Sequence, residues 1–144
     1  MSADVTALLA RTPLVVRRGP YALGAWAPAQ AGAVGSALMR RPPDLLLWMR
    51  DDKEVTALYR ESAHSDLPAP RNLQRGFAVI TPDRTMAWDL TGVLAALAGA
   101  LAAAGVPLGA FSAYSRDHLL VPGAQLDAAL AALAPFCPEV RRLD

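Results

Sequence analysis

From Phe77 to Leu143 the apolar residues alternate between the two-residue rhythm of a strand and the three-and-four rhythm of a helix. The order of those changes limits the fold more than any other feature. FAVIT, residues 77–81, is a strand and Pro82 to Met86 a loop. A helix then runs from near Thr91 to about Ala104, with Leu90, Leu94, Leu97 and Leu101 on one face, and Gly105 is its natural stop. Leu108–Tyr114 is a second strand, Ser115-Arg116-Asp117 reverses the chain, and His118–Val121 is a third. Pro122-Gly123 leads into a second helix with Leu126, Leu130 and Leu133 on one face, closed by Pro135, and Glu139–Leu143 is a last short strand. The order β-α-β-β-α-β predicts an α+β, ferredoxin-like module: an antiparallel sheet with both helices on one face.

The first half is less regular. Residues 3–11 have a helical spacing of Val5, Leu8 and Leu9, ending before Pro13. LVVR (14–17) and YALGAW (21–26) flank the turn dipeptide Gly19-Pro20, which predicts a hairpin. Residues 28–43 are rich in Ala, Gly and Pro, with a short helix expected around Val34 to Met39. LLLWM (45–49) and EVTALYR (54–60) are strands joined by the polar turn Arg50 to Lys53. The proline-containing stretch His64 to Arg75 has little periodicity and is the natural place for a junction. The expected organisation is therefore a degenerate module over 1–65, a linker over 66–75 and a regular module over 76–144.

Composition narrows the function classes. Hydrophobic residues make up 53% and charged residues 19%, which excludes global disorder. A formal charge of +1 with scattered arginines gives no footprint for nucleic acid. Cys137 stands alone, so no internal disulfide is possible, and the amino terminus has no signal-like apolar run; a cytoplasmic protein is the expectation. The weakly polar stretch Leu90 to Phe111 carries Gly92, Gly99, Gly105, Pro107 and Gly109, so it reads as a buried helix and strand rather than a membrane span. Two histidines and one cysteine, widely separated, offer no metal-ligand spacing, and no glycine-rich nucleotide loop occurs, so no cofactor is expected.

Two segments carry possible chemistry. Asp89-Leu90-Thr91-Gly92 opens the long helix. Asp89 or Thr91 is an N-cap candidate, and the free N–H groups with the positive end of the helix dipole can receive a carboxylate. The segment is then either a simple cap or an anion-receiving site. The second segment, Ser112 to Pro122, sets Ser115, Arg116, Asp117 and His118 between apolar runs. It is either a solvated turn or the rim of a site in which Asp117 would pair with an ammonium group. A hydrolase built from Ser112 or Ser115 with Asp117 and His118 fits poorly. Adjacent strand residues point to opposite faces, and no nucleophile elbow is present.

FAVIT, DLTGVLA, LAAAGVPL, FSAYSRDHLLVP and LDAALAAL, spanning about residues 76–134, together resemble an ACT domain. The type is that of CASTOR-like arginine sensors and of small bacterial proteins built of two ACT-like modules. PLVVRRGPYALGAW and EVTALYRE are similar to the first module of such tandem proteins. The resemblance implies a regulatory, non-catalytic protein that binds a free amino acid or similar small metabolite, forms a homodimer, and acts on a protein partner. It implies that Asp117, beside His118, takes the ligand ammonium. The backbone of Thr91, Gly92 and Val93, following Asp89, would take the carboxylate, with Ser112 contributing from the neighbouring strand. Arg116 stands where related proteins often have His, and Pro82 to Trp88 replaces an HSS-like stretch. Arg116 either pairs with Asp117 or favours an acidic ligand. A module that only docks another protein is the rival reading.

Overall fold

The structure is a computed structural model that describes residues 1–41 and 45–144; Pro42 and Pro43, part of the Ala/Gly/Pro-rich stretch, lie outside the described residues. Two compact units are present, one formed by Met1–Arg18 with Phe77–Asp144 and the other by Gly19–Gly76. They are not consecutive in sequence. Met1–Arg18, expected within a 1–65 module, groups with the later residues.

The first unit begins with helix α1, Ala3–Ala10. The Ser2 hydroxyl caps it by accepting from the Val5 N–H at 3.2 Å, and Val5 and Leu9 are its buried residues. The opening residues of β1, Leu14–Trp26, follow, and then Phe77–Pro82 of β4, Asn72–Pro82. After β4 come α3, Val93–Ala103; β5, Gly109–Ser112; β6, Asp117–Pro122; α4, Leu126–Leu133; and β7, Val140–Arg142. From β4 onward this is the expected β-α-β-β-α-β order. The hydrogen-bonded order in the unit is β7-β1-β4-β6-β5. β4 and β6 run antiparallel with Ile80 opposite Leu119, and β5 and β6 antiparallel with Ser112 opposite Asp117. β7 joins β1 in parallel, Leu14 opposite Val140, so β1 holds the place beside β4 that the module's own last strand would take in a simple ferredoxin-like sheet.

Alternation along the strands decides what is buried where. Ala78, Ile80, Leu119 and Val121 form one core with Val93, Leu97 and Leu101 of α3 and with Leu126, Ala129, Leu130 and Leu133 of α4. The buried stripe of α3 is thus Val93, Leu97 and Leu101, while Leu94, expected on the core face, is 37% exposed. The helix starts at Val93, after Gly92, and this start sets the phase. Its end matches expectation. Gly105 has φ +71°, and the Val106 N–H returns to the Leu101 carbonyl at 2.9 Å, satisfying a last-turn acceptor and seating Val106 in the core.

The second unit contains the remainder of β1, α2 (Ala31–Met39), β2 (Leu47–Arg50) and β3 (Val55–Arg60), and ends with the first residues of β4. The expected hairpin between 14–17 and 21–26 does not form: β1 is one strand through Gly19 and a cis Gly19–Pro20 bond. Its two ends pair with different partners, Leu14–Val16 with β7 and Tyr21–Trp26 with β3, rather than with each other. β2 and β3 form the predicted hairpin. Asp51 Oδ1 accepts from the N–H groups of Lys53 and Glu54 at 2.8 Å each, which closes the polar turn. Trp26 and Tyr59, ring centres 6.1 Å apart, pack with Val34, Leu38 and Val55 in this unit's core, and Trp26 Nε1 donates to the Pro68 carbonyl at 2.8 Å. β4 begins at Asn72, so the end of the stretch read as a junction is strand.

Candidate functional site

In the first unit a cleft of about 210 Å³ lies where the loop after β4, the start of α3 and the β5–β6 hairpin meet. Its walls are held by backbone and ion-pair contacts. The Met86 N–H donates to the Ser115 carbonyl at 3.2 Å, tying loop to hairpin, and the Ala113 N–H donates to the Arg116 carbonyl at 2.9 Å, closing the hairpin turn. Arg116 reaches Asp83 Oδ1 at 2.5 Å, and Arg141 reaches the other carboxylate oxygen at 2.8 Å. The Arg116 hydrogen bond, with Arg141 beside it, holds the Asp83 carboxyl below the usual carboxylate range. Arg116 therefore does not pair with Asp117. Asp117 instead accepts a hydrogen bond from the Ser112 hydroxyl, its cross-strand neighbour.

The floor is the first turn of α3. Gly92 is the N-cap, in the left-handed region at φ +97°, and no side chain caps the helix. Asp89 and Thr91, the expected caps, do not perform that role; both are exposed and neither lines the cleft. Gly92, Val93, Leu94 and Ala95 do line it, so the positive end of the helix dipole faces the space in which Asp117 supplies a negative charge. Positive φ, rather than crowding, makes glycine necessary here, since a Cβ at Gly92 would meet nothing within 4 Å. Gly92→Ala is expected to lower stability by roughly 1–2 kcal/mol through backbone strain alone. A urea midpoint equal to that of the parent chain would show that the N-cap relaxes out of the left-handed region.

Of the residues named from the sequence, Gly92, Val93, Ser112 and Asp117 are brought together in the cleft, whereas Asp89, Thr91 and His118 are not. His118 points to the opposite side of β6. It is 4% exposed, with Nδ1 2.7 Å from the Thr81 hydroxyl and its ring stacked on Phe111 at 5.0 Å. Burial, with the positive charges of Arg116 and Arg17, pushes its pKa down to about 4. Ser112, Asp117 and His118 therefore do not form a nucleophile, orienter and base.

Sequence reasoning passed over Met86, Trp88 and Tyr114, which also line the cleft. Trp88 is 94% and Tyr114 102% exposed. The available signal was an aromatic residue at each of two positions outside any apolar periodicity, one in a polar loop and one at a hairpin tip. Among the described residues no group of His, Cys, Asp and Glu is placed to hold a metal, and no helix is long and apolar enough to cross a membrane.

The family model of the ACT domain matches residues 72–135, which include the whole cleft. No curated protein matches the chain. Among solved structures it is similar to protein Atu0741 from Agrobacterium tumefaciens, with TM-score 0.75, 18% identity, and 93% of this chain and 95% of that one covered. A protein of unknown function from Vibrio cholerae, described as a possible transport protein, matches with TM-score 0.67 and 21% identity over 92% and 96% of the two chains. The ligand-free regulatory subunit of aspartate kinase from Thermus thermophilus matches with TM-score 0.67 and 16% identity over 88% and 98%. At these identities the likeness is one of fold, and it extends over nearly the whole chain.

Proposed function

We propose that this chain, whose residues 72–135 belong to the ACT-domain family, is a non-catalytic regulatory protein that binds a free amino acid in the cleft at the start of α3. One observation carries the reading. The uncapped first turn of α3 and the Asp117 carboxylate line the same small space, and they complement the two ends of an α-amino acid. The backbone N–H groups after Gly92 receive the carboxylate. Asp117, with Ser112 beside it, receives the ammonium. The separation of His118 from Ser112 and Asp117 supports binding rather than catalysis. Likeness in fold to a regulatory subunit of aspartate kinase supports a regulatory role, read out through a homodimer or a protein partner in the cytoplasm.

A thermal-shift screen against the twenty amino acids at millimolar concentration tests this, with Asp117→Ala in parallel. A ligand present at about 100 Kd adds about 2.7 kcal/mol to the stability of the folded state. The parent chain should show that shift with at least one amino acid and Asp117→Ala should lose it. The melting point of the free protein should barely move, because the Ser112–Asp117 bond is exposed. The exposed Trp88 and Tyr114 favour a second reading, a module that docks a protein and takes no ligand. That reading predicts no shift with any amino acid and a stable complex in pull-down.

A further inference from the structure

Resting on the reading of the cleft as an amino-acid site, we infer that its ligand carries an aromatic or large aliphatic side chain and that acidic and basic amino acids are rejected. With the ammonium on Asp117 and the carboxylate on the first turn of α3, the space left to the side chain is bounded by Met86, Leu90 and Leu94 and rimmed by Trp88 and Tyr114. These groups offer apolar surface and ring faces. Both rings are almost wholly solvated, so a ligand side chain laid against them removes apolar area from water on both partners. They are carried on anchored backbone rather than free tails. Met86 is bonded to Ser115, the Leu90 N–H donates to the Ala87 carbonyl at 3.1 Å, and the hairpin bearing Tyr114 is closed between Ala113 and Arg116.

The charges lead to the same class. Among the described residues, Arg116 and Asp117 are the only charged ones lining the cleft. A basic side chain would find its one carboxylate already holding the ligand's own ammonium. An acidic side chain would need Arg116, which is engaged by Asp83 at 2.5 Å, and Asp83 is shared with Arg141. Sheltering a charge without a partner is costly, whereas an apolar side chain meets no such cost. The volume, about 210 Å³, is below that of sites for drug-sized ligands and suits a single amino acid.

The test is a thermal-shift titration with phenylalanine, leucine, glutamate and arginine, run on the parent chain, Asp117→Ala and the double variant Trp88→Ala/Tyr114→Ala. Phenylalanine and leucine should stabilise the parent at concentrations at least about 10-fold lower than glutamate or arginine, and the double variant should weaken phenylalanine about 10-fold. Glutamate or arginine binding as tightly as phenylalanine, with the shift lost in Asp117→Ala, would keep the amino-acid site and overturn its side-chain class. Phenylalanine binding unchanged in the double variant overturns the class as well. No shift with any of the four, nor with the remaining amino acids, removes the site and the inference together.

Discussion

Leu101→Ala should destabilise the chain by about 2–5 kcal/mol, the range for truncating a fully buried leucine in a core that relaxes only in part. Leu101 is 0% exposed, sits among the residues shared by α3, α4 and the sheet, and lends its carbonyl to the Val106 N–H that ends the helix. The loss falls on the element whose first turn forms the floor of the cleft, so binding should weaken along with stability. For stability, Leu94→Ala is the control, because Leu94 occupied the same predicted stripe but is 37% exposed. It should cost less than about 1 kcal/mol. Urea denaturation of the two variants separates them, and equal losses would show that the helix is phased on Leu94 rather than on Val93.

The second large effect is a pH dependence. His118 is buried in its neutral form with a folded pKa of about 4, against 6.5 for an ordinary histidine. Between those values the unfolded chain binds the proton more tightly than the folded one, so stability rises with pH across that window. The contribution is complete above about pH 6.5 and is lost as pH falls through about 4; it amounts to on the order of 3 kcal/mol. Asp83, whose carboxyl is lowered by Arg116 and Arg141, acts in the same direction at lower pH, below its ordinary 3.8. His118→Gln keeps a partner for the Thr81 hydroxyl and removes the titration. Its unfolding free energy, measured from pH 4 to 7, should run flatter than that of the parent. Parallel profiles for the two proteins would mean that His118 is not held neutral in the folded state.

The parts of the fold that were legible in the sequence depend on near neighbours. Gly105 ends α3 because glycine tolerates φ +71°, and Asp51 closes the β2–β3 turn through N–H groups two and three residues away. The opposite directions of Asp117 and His118 follow from the pleat of one strand. The phase of α3 was less legible. Val93 and Leu94 are both apolar at plausible spacings, and only the left-handed N-cap at Gly92 and the packing of the sheet select Val93.

The candidate site divides in the same way. Its helix start and its carboxylate are readable as DLTG and SRDH, but the partner of Arg116 is not. Asp83, Asp117 and solvent are all chemically acceptable to a guanidinium, and Asp83 becomes the partner because the loop after β4 is fastened against the hairpin. Trp88 and Tyr114 acquire meaning only when those two segments are brought to one cleft.

By itself, then, the sequence determined the order of helices and strands from Phe77 onward and the turns and stops between them. Tertiary structure alone decided that β1 runs unbroken past Gly19, that Leu14 pairs with Val140, that Arg116 belongs to Asp83 and that His118 is buried against Thr81 and Phe111. The difference is physical. Periodicity and capping arise among residues a few positions apart, whereas strand pairing, ion-pair choice and burial are settled by which distant segments exclude water together.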